Sequence, residues 1–245
     1  MFSIKQAIAT RLVRFLTRPL SGYQRIDTVS IDEVAATIRT ADIVLVEGNT
    51  RISTAIKYLT QSSWSHACLY VGQDGEPPTV GNLLEADLNA GVRLVSLKHY
   101  EGFNLRLCRP VGLTDEEKQQ LVAFATSRLG HQYDLRNVFD LVRYLIQKPA
   151  VPNRYRRVML GLGSGEPTRA ICSTLIAESF QAVDYPILPH RTGEIGRDGE
   201  VPQYYRRHFT HFTPRDFDLS PYFHVVKPTL EKGFDHNQLQ WREPE

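Results

Sequence analysis

Cys172, His66 and Glu85 have the side-chain types that nucleophilic acyl chemistry requires. A cysteine nucleophile needs a base within hydrogen-bond reach to form the thiolate and later to protonate the leaving group. That base needs a third polar group to fix its tautomer. Cys172 stands near the start of Ile171-Cys172-Ser173-Thr174-Leu175-Ile176-Ala177-Glu178-Ser179-Phe180, where Cys172, Leu175, Ile176, Ser179, Phe180 and Val183 recur at helical spacing and Tyr185-Pro186 with Pro189 ends the run. A thiol in a first helical turn meets unpaired backbone N–H groups and the positive end of the helix dipole, which lower its pKa and can hold an oxyanion. Taken alone, a cysteine on an apolar helix is more often a small buried hydrophobe. His66 opens Ser65-His66-Ala67-Cys68-Leu69-Tyr70-Val71-Gly72, which alternates as a strand and puts His66, Cys68 and Tyr70 on one face. Glu85 sits in Leu83-Leu84-Glu85-Ala86-Asp87 where a purely structural strand would carry an apolar residue, and pairing of the two strands sets the acid beside the histidine. His66, Cys68 and Glu85 are also the types of a transition-metal site, but a fourth ligand is not evident, and neither metal nor cofactor is expected.

The elements that must position these residues follow in chain order. Ser30 and Glu33 have capping-box spacing ahead of a short helix to Thr40. Ala41-Asp42-Ile43-Val44-Leu45-Val46 reads as a central strand, and Ile52, Ala55, Ile56 and Leu59 mark a second short helix. With the two strands above, Val92 to Leu97 and Asn104 to Val111 make about five strands of one antiparallel sheet, punctuated by Gly91 and Gly102. Thr114 and Glu117 form a second capping box, before a helix whose stripe runs from Leu121 through Leu129 and whose C′ residue is Gly130. Gly130-His131-Gln132-Tyr133-Asp134 turns into a further helix carrying Val138, Leu141, Val142 and Leu145. Lys148 to Glu166, with Arg154, Arg156 and Arg157, reads as a long loop before the cysteine helix, either a lid or anion binder or a solvated connection. Thr213 to Phe223 reads as a packed extended tail, and Phe223 to Val226 as a last strand.

Composition excludes several classes. A net charge of +2 and no clustered basic and aromatic motif argue against a nucleic-acid partner. Three cysteines without CxxC spacing argue against a disulfide framework and a structural zinc, and point to a reducing compartment. No stretch is apolar enough for long enough to span a bilayer. Residues 1–20 are broken by Lys5, Arg11, Arg14 and Arg18 and do not read as an export signal, whereas Ile4, Ile8, Leu12, Phe15 and Leu16 share one helical face. That pattern suits a helix on an anionic membrane surface, or equally one docked on its own domain or on a partner chain. The expected divisions are a basic amphipathic segment over 1–40, one domain over 41–226 and a tail over 227–245.

The order of histidine strand, glutamate strand, helices and cysteine helix resembles the circularly permuted papain-like amidases of the NlpC-type superfamily, YaeF/YiiX-type group. The residues that carry the likeness are Asp42 to Val46, Ser65 to Gly72, Leu84-Glu85-Ala86, Leu129 to Asp134 and Ile171-Cys172-Ser173. The resemblance implies an α+β fold, a permuted papain-like antiparallel sheet packed against helices. It implies Cys172 as nucleophile, His66 as general base then acid, and Glu85 as the group that orients His66. The family's Gly-x-x-Tyr-Asp pattern falls on Gly130, Tyr133 and Asp134, so Tyr133 either lines the site or packs beneath the cysteine helix. Ser65 and Ser173, flanking His66 and Cys172, are further substrate-binding or oxyanion candidates. Relatives cleave amide or ester bonds in peptidoglycan peptides or in acylated and lipid-like substrates. The first 40 residues and the chain beyond about Asp184 have no counterpart in the pattern. The expectation is a cytoplasmic cysteine hydrolase, peripheral at the inner face of the membrane, acting on a small-molecule, peptide or lipid-like acyl substrate. The alternatives are an acyltransferase using the same residues and a papain-like binding module without chemistry.

Overall fold

The computed structural model describes residue 11 and residues 14–26, 29–87, 90–131, 171–192 and 203–238. Its centre is β1 (Ile43–Val46), an Ile-Val-Leu-Val run buried at every position, which requires cover on both faces. Around it β2 (His66–Tyr70), β3 (Leu83–Asp87), β4 (Gly91–Val95), β5 (Leu105–Pro110) and β8 (Phe223–Val226) form an antiparallel sheet in the order β4-β3-β2-β1-β5-β8. The short strands β6 (His190–Thr192) and β7 (Gln203–Tyr205) pair separately. The fold is thus α+β with an antiparallel sheet, and the late strand Phe223–Val226 returns to its edge beside β5.

Alternation along the strands divides the core in two. On one face Ile43, Leu45, Ala67, Leu69, Leu84 and Ala86 pack with Leu121 and Ala125 of α3 (Asp115–Thr126) and with Leu175, Ile176 and Phe180 of α4 (Ile171–Ala182). On the other, Val44, Val46, Cys68, Tyr70 and Leu83 pack with Ile31, Val34 and Ala35 of α1 (Ile31–Thr37) and with Leu97 and Tyr100. Both expected capping boxes form: Ser30 and Thr114 accept from the backbone of Glu33 and Glu117, whose carboxylates reach back to the cap N–H groups. A further helix, α2 (Arg51–Thr60), is capped by Thr50.

Three local expectations are corrected. The helix opened by Thr114 ends at Thr126 rather than near Leu129, because the chain leaves it to cover the outer edge of β4. The Gly130 N–H donates to the Val92 carbonyl at 2.9 Å and the Val92 N–H to the His131 carbonyl at 3.0 Å. Gly130 makes this turn at φ +79°, a conformation open to glycine. The strand expected over Val92 to Leu97 stops at Val95, and Leu97–Tyr100 is a 3-10 turn. The segment read as an extended tail contains α5 (Pro214–Leu219), with a Thr213/Asp216 capping box and Pro214 in the first turn, where a missing N–H is not felt. The helix expected to carry Val138, Leu141, Val142 and Leu145, the loop over 148–166, Tyr133 and most of the first amphipathic stretch lie outside the described residues. Within the described part of that stretch Leu16 is buried, Phe15 lies under the Arg51 guanidinium, and the Leu20 N–H donates to the Asn49 carbonyl at 2.8 Å.

One buried ion pair ties α1 to the sheet. Asp42, fully buried, accepts from Nε and Nη2 of Arg109 at 2.9 and 2.7 Å and from the Arg39 N–H at 2.9 Å, while Arg109 also donates to the Thr37 carbonyl. Burial pushes the Asp42 carboxyl up, against the opposing pull of Arg109. Arg109→Met is expected to destabilise the protein by about 3–5 kcal/mol by leaving that charge unpaired. Urea unfolding should show the loss shrinking as the pH falls, because the orphaned carboxyl then takes a proton in the folded state.

Candidate active site

Strand register builds the site. β3 and β4 form a hairpin that sets Glu85 directly opposite Arg93, while β2 pairs with β3 at Leu69↔Leu84 and Tyr70↔Leu83. Continuing the β2–β3 register puts Cys68 opposite Glu85 and His66 on the diagonal, within reach of a long side chain. Nε2 of His66 and Oε2 of Glu85 are 2.8 Å apart. An ionised carboxylate can only accept, so Nε2 carries the proton and Nδ1 is left for another partner.

Glu85 is 3% exposed, and its oxygens are fully engaged. Oε1 takes Nε and Nη2 of Arg93, each at 2.8 Å, while Oε2 takes His66 and the hydroxyl of Tyr100. Burial raises the Glu85 carboxyl, but His66, Tyr100 and Arg93 outweigh it and hold the group down at about 2. For Tyr100, burial pushes the phenol far up, with the neighbouring Cys68 and Glu85 adding to it, so it stays a donor. Strand alternation foreshadowed Glu85. Arg93 was missed, although counting back from the turn at Gly91 pairs it with Glu85. Tyr100 was also missed; it comes from a 3-10 turn and carries no local signal.

Two thiols flank His66. Cys172, the second residue of α4, is hydrogen-bonded to the imidazole, and the N–H groups of Ala67 and Ser173 point at its sulfur. Burial opposes its ionisation, yet His66 and those two donors hold the thiol below its ordinary value. Cys68 shares the imidazole but faces the acid. Its Sγ lies 3.4 Å from the Tyr100 hydroxyl and 3.9 Å from Oε2 of Glu85, and burial, with the Glu85 charge adding to it, pushes this thiol up. For His66, burial works against the charged ring, but Cys68 and Cys172 raise it well above its usual value. Neighbouring charges thus favour a Cys172 thiolate beside a His66 imidazolium. The side chain of His66 is 23% exposed and Cys172 is buried at 6%.

The other sequence candidates are placed as follows. The Ser173 hydroxyl donates to the Phe212 carbonyl at 2.8 Å, so its backbone N–H, not its Oγ, meets Cys172. The Ser65 hydroxyl accepts from the Gly48 N–H at 3.0 Å and holds the loop after β1 against the start of β2. Gly48 has to be glycine there, since a Cβ would stand 2.3 Å from Ser53 Oγ and 2.8 Å from Ser65 Oγ. Donor atoms of His66, Cys68 and Glu85 lie within 4.8 Å of one another. With Arg93 and Tyr100 on the same carboxylate, however, the cluster has the character of a hydrogen-bond network, not of a ligand set.

Residues 37–144 match the family model described as permuted papain-like amidase enzyme, YaeF/YiiX. The matched segment holds His66, Glu85, Arg93 and Tyr100, and Cys172 lies beyond it. Among solved structures, a crystal structure of metalloprotein yiiX from Escherichia coli O157:H7, DUF1105, aligns over 77% of this chain and 96% of that chain, at 18% identity and a TM-score of 0.48. No curated protein matches the sequence.

The opposite treatment of the thiols is measurable. Alkylation by iodoacetamide between about pH 5 and pH 9, read by peptide mass spectrometry, should modify Cys172 well below the ordinary thiol pKa of about 8.5. Cys68, pushed up by burial, and Cys108, pushed up to about 12 by burial, should stay unmodified there. His66→Ala should abolish the low-pH reactivity of Cys172.

Proposed function

We propose that this chain, which carries a permuted papain-like amidase signature over residues 37–144, is a cysteine hydrolase that cleaves an amide or ester bond through an acyl-enzyme on Cys172. One observation supports this reading above the others. Of two thiols beside one imidazole, Cys172 is the one held below its ordinary value, by His66 and the N–H groups of Ala67 and Ser173, while burial and the Glu85 charge push Cys68 up. The Cys172 thiolate attacks the acyl carbon, and the developing oxyanion is received by first-turn N–H groups of α4. His66, charged in the resting pair, gives its proton to the leaving nitrogen or oxygen as the carbon–heteroatom bond breaks, leaving a thioester and a neutral imidazole. His66 then takes a proton from water as it attacks the thioester, and the acid product leaves Cys172 as the thiolate. Glu85 keeps Nε2 protonated throughout, so that Nδ1 is the nitrogen that exchanges protons.

The second part of the proposal concerns where the acyl substrate lies. Residues 14–26 present Phe15, Leu20 and Ile26, the last 84% exposed, together with the exposed Arg14, Arg18 and Arg25. Apolar side chains among cations suit the interface of an anionic membrane, and an acylated or lipid-like substrate at the inner face of the membrane fits such a surface. No helix among the described residues is long and apolar enough to cross a membrane.

Incubation with activated esters of short and long fatty acids should give a Cys172 thioester detectable by intact mass, with turnover lost by at least about a thousandfold in Cys172→Ala. Absence of any adduct on a folded protein would leave a non-catalytic binding module in place of the hydrolase. In sedimentation with vesicles, the protein should follow phosphatidylglycerol but not phosphatidylcholine, and added salt should release it. Equal indifference to both lipids would remove the membrane half alone.

A further inference from the structure

Glu85 receives more donors than the orientation of one imidazole needs, and the surplus comes from two side chains outside the Cys-His-Glu set. Arg93 stands directly across the β3–β4 ladder and brings two N–H groups to Oε1. Tyr100 brings its hydroxyl to Oε2, on the same oxygen as His66. The Tyr100 ring is itself buried and held in place, edge-on to His99 at 5.0 Å and to Phe103 at 6.1 Å, and 6.0 Å from the His66 ring. The turn that presents it is anchored by the buried Leu97.

We propose that Arg93 and Tyr100 are positioning residues for the Cys172–His66 pair: together they clamp the Glu85 carboxylate, keeping it ionised and turned towards Nε2 of His66. The inference rests on the hydrolase reading above and extends it to groups that never touch substrate. Its physical basis is the cost of burying a carboxylate, which by itself raises the group's affinity for a proton. The titratable or charged groups that face Glu85 are His66 and Cys68 from β2, Arg93 from β4 and Tyr100 from the 3-10 turn, with Cys172 of α4 behind His66. Of these, Arg93 and Tyr100 are the donors that keep their protons through the working range of a thiolate–imidazolium pair. Without them Glu85 would take up a proton in mild acid and His66 would lose the charge that stabilises its protonated form. The pair would then relax to a neutral thiol and a neutral imidazole. The clamp therefore sets the acid limit of the site.

The test is the pH profile of Cys172 alkylation by iodoacetamide, which needs no knowledge of the substrate. In Tyr100→Phe and in Arg93→Gln the acid limb should move to higher pH by about one unit, a tenfold loss of thiolate at a fixed pH on that limb. Arg93→Lys should recover part of the shift, since an ammonium restores the charge without the two-pronged geometry. A role confined to stability would lower the melting temperature and leave the limb where it was. Arg93 is 39% exposed, so its variants should fold even if Tyr100→Phe does not, and the Arg93 pair then decides the matter. Unchanged limbs in folded variants, beside a wild-type Cys172 that reacts at low pH in a His66-dependent way, would overturn the clamp and leave the hydrolase standing. A wild-type Cys172 with no low-pH reactivity would overturn both.

Discussion

A carboxylate taken out of water must find donors for both oxygens or surrender its charge, and the site is arranged around how Glu85 meets that demand. Arg93 satisfies one oxygen, while His66 and Tyr100 share the other. Because the acid stays ionised, the His66 proton sits on Nε2, and the remaining ring nitrogen is available to a thiol. The same negative charge penalises ionisation of Cys68, which lies beside it, and through its hydrogen bond with His66 favours the imidazolium, whose charge holds the Cys172 thiol down. Two cysteines of the same intrinsic chemistry are thus set apart: burial and the Glu85 charge push the Cys68 thiol up, whereas His66 and the N–H groups of Ala67 and Ser173 hold the Cys172 thiol down.

The sheet supplies the geometry that makes the separation possible. Cys68 belongs to the face covered by α1 and the 3-10 turn, whereas the neighbours of Cys172 on α4 pack against the opposite face. Residues on opposite faces of a continuous sheet do not meet. Here the β2–β3 ladder is formed at Leu69 and Tyr70, and ahead of it the Ala67 N–H turns to the Cys172 sulfur. The Cys172 thiol and the His66 imidazole meet at this end of β2.

The surrounding contacts keep that end of the sheet in place. His66 is aligned with Val46 of the central strand, and the loop that follows Val46 is tied back through Gly48 to Ser65. On the far side, Trp64 donates to Asp218 of α5 at 3.2 Å and Arg106 of β5 meets the same carboxylate at 2.6 Å. The residues flanking His66 are held by partners from distant parts of the chain, which is the kind of support a hydrogen-bonded pair needs to keep its distance constant.

Much of this was legible in the sequence. The apolar run Ile43 to Val46, the alternation in His66 to Tyr70 and the out-of-place acid at Glu85 report local burial, and periodicity records burial faithfully. The Ser30/Glu33 and Thr114/Glu117 boxes act within one turn, so their residues determined those helix starts. The Thr213/Asp216 box is equally local, but no apolar periodicity around it marks a helix in the sequence. The end of the helix after Thr114 was another matter: residues 130 and 131 are claimed by Val92, a contact between segments far apart in sequence. Tyr100 is of the same kind, since nothing near it in the chain distinguishes a phenol on Glu85 from any other buried phenol. The sequence by itself determined which residues could be nucleophile, base and acid, and which strands would carry two of them. Only the tertiary structure decided which thiol receives the donors and which receives the charge, because that depends on through-space electrostatics between elements whose register and separation no local pattern encodes.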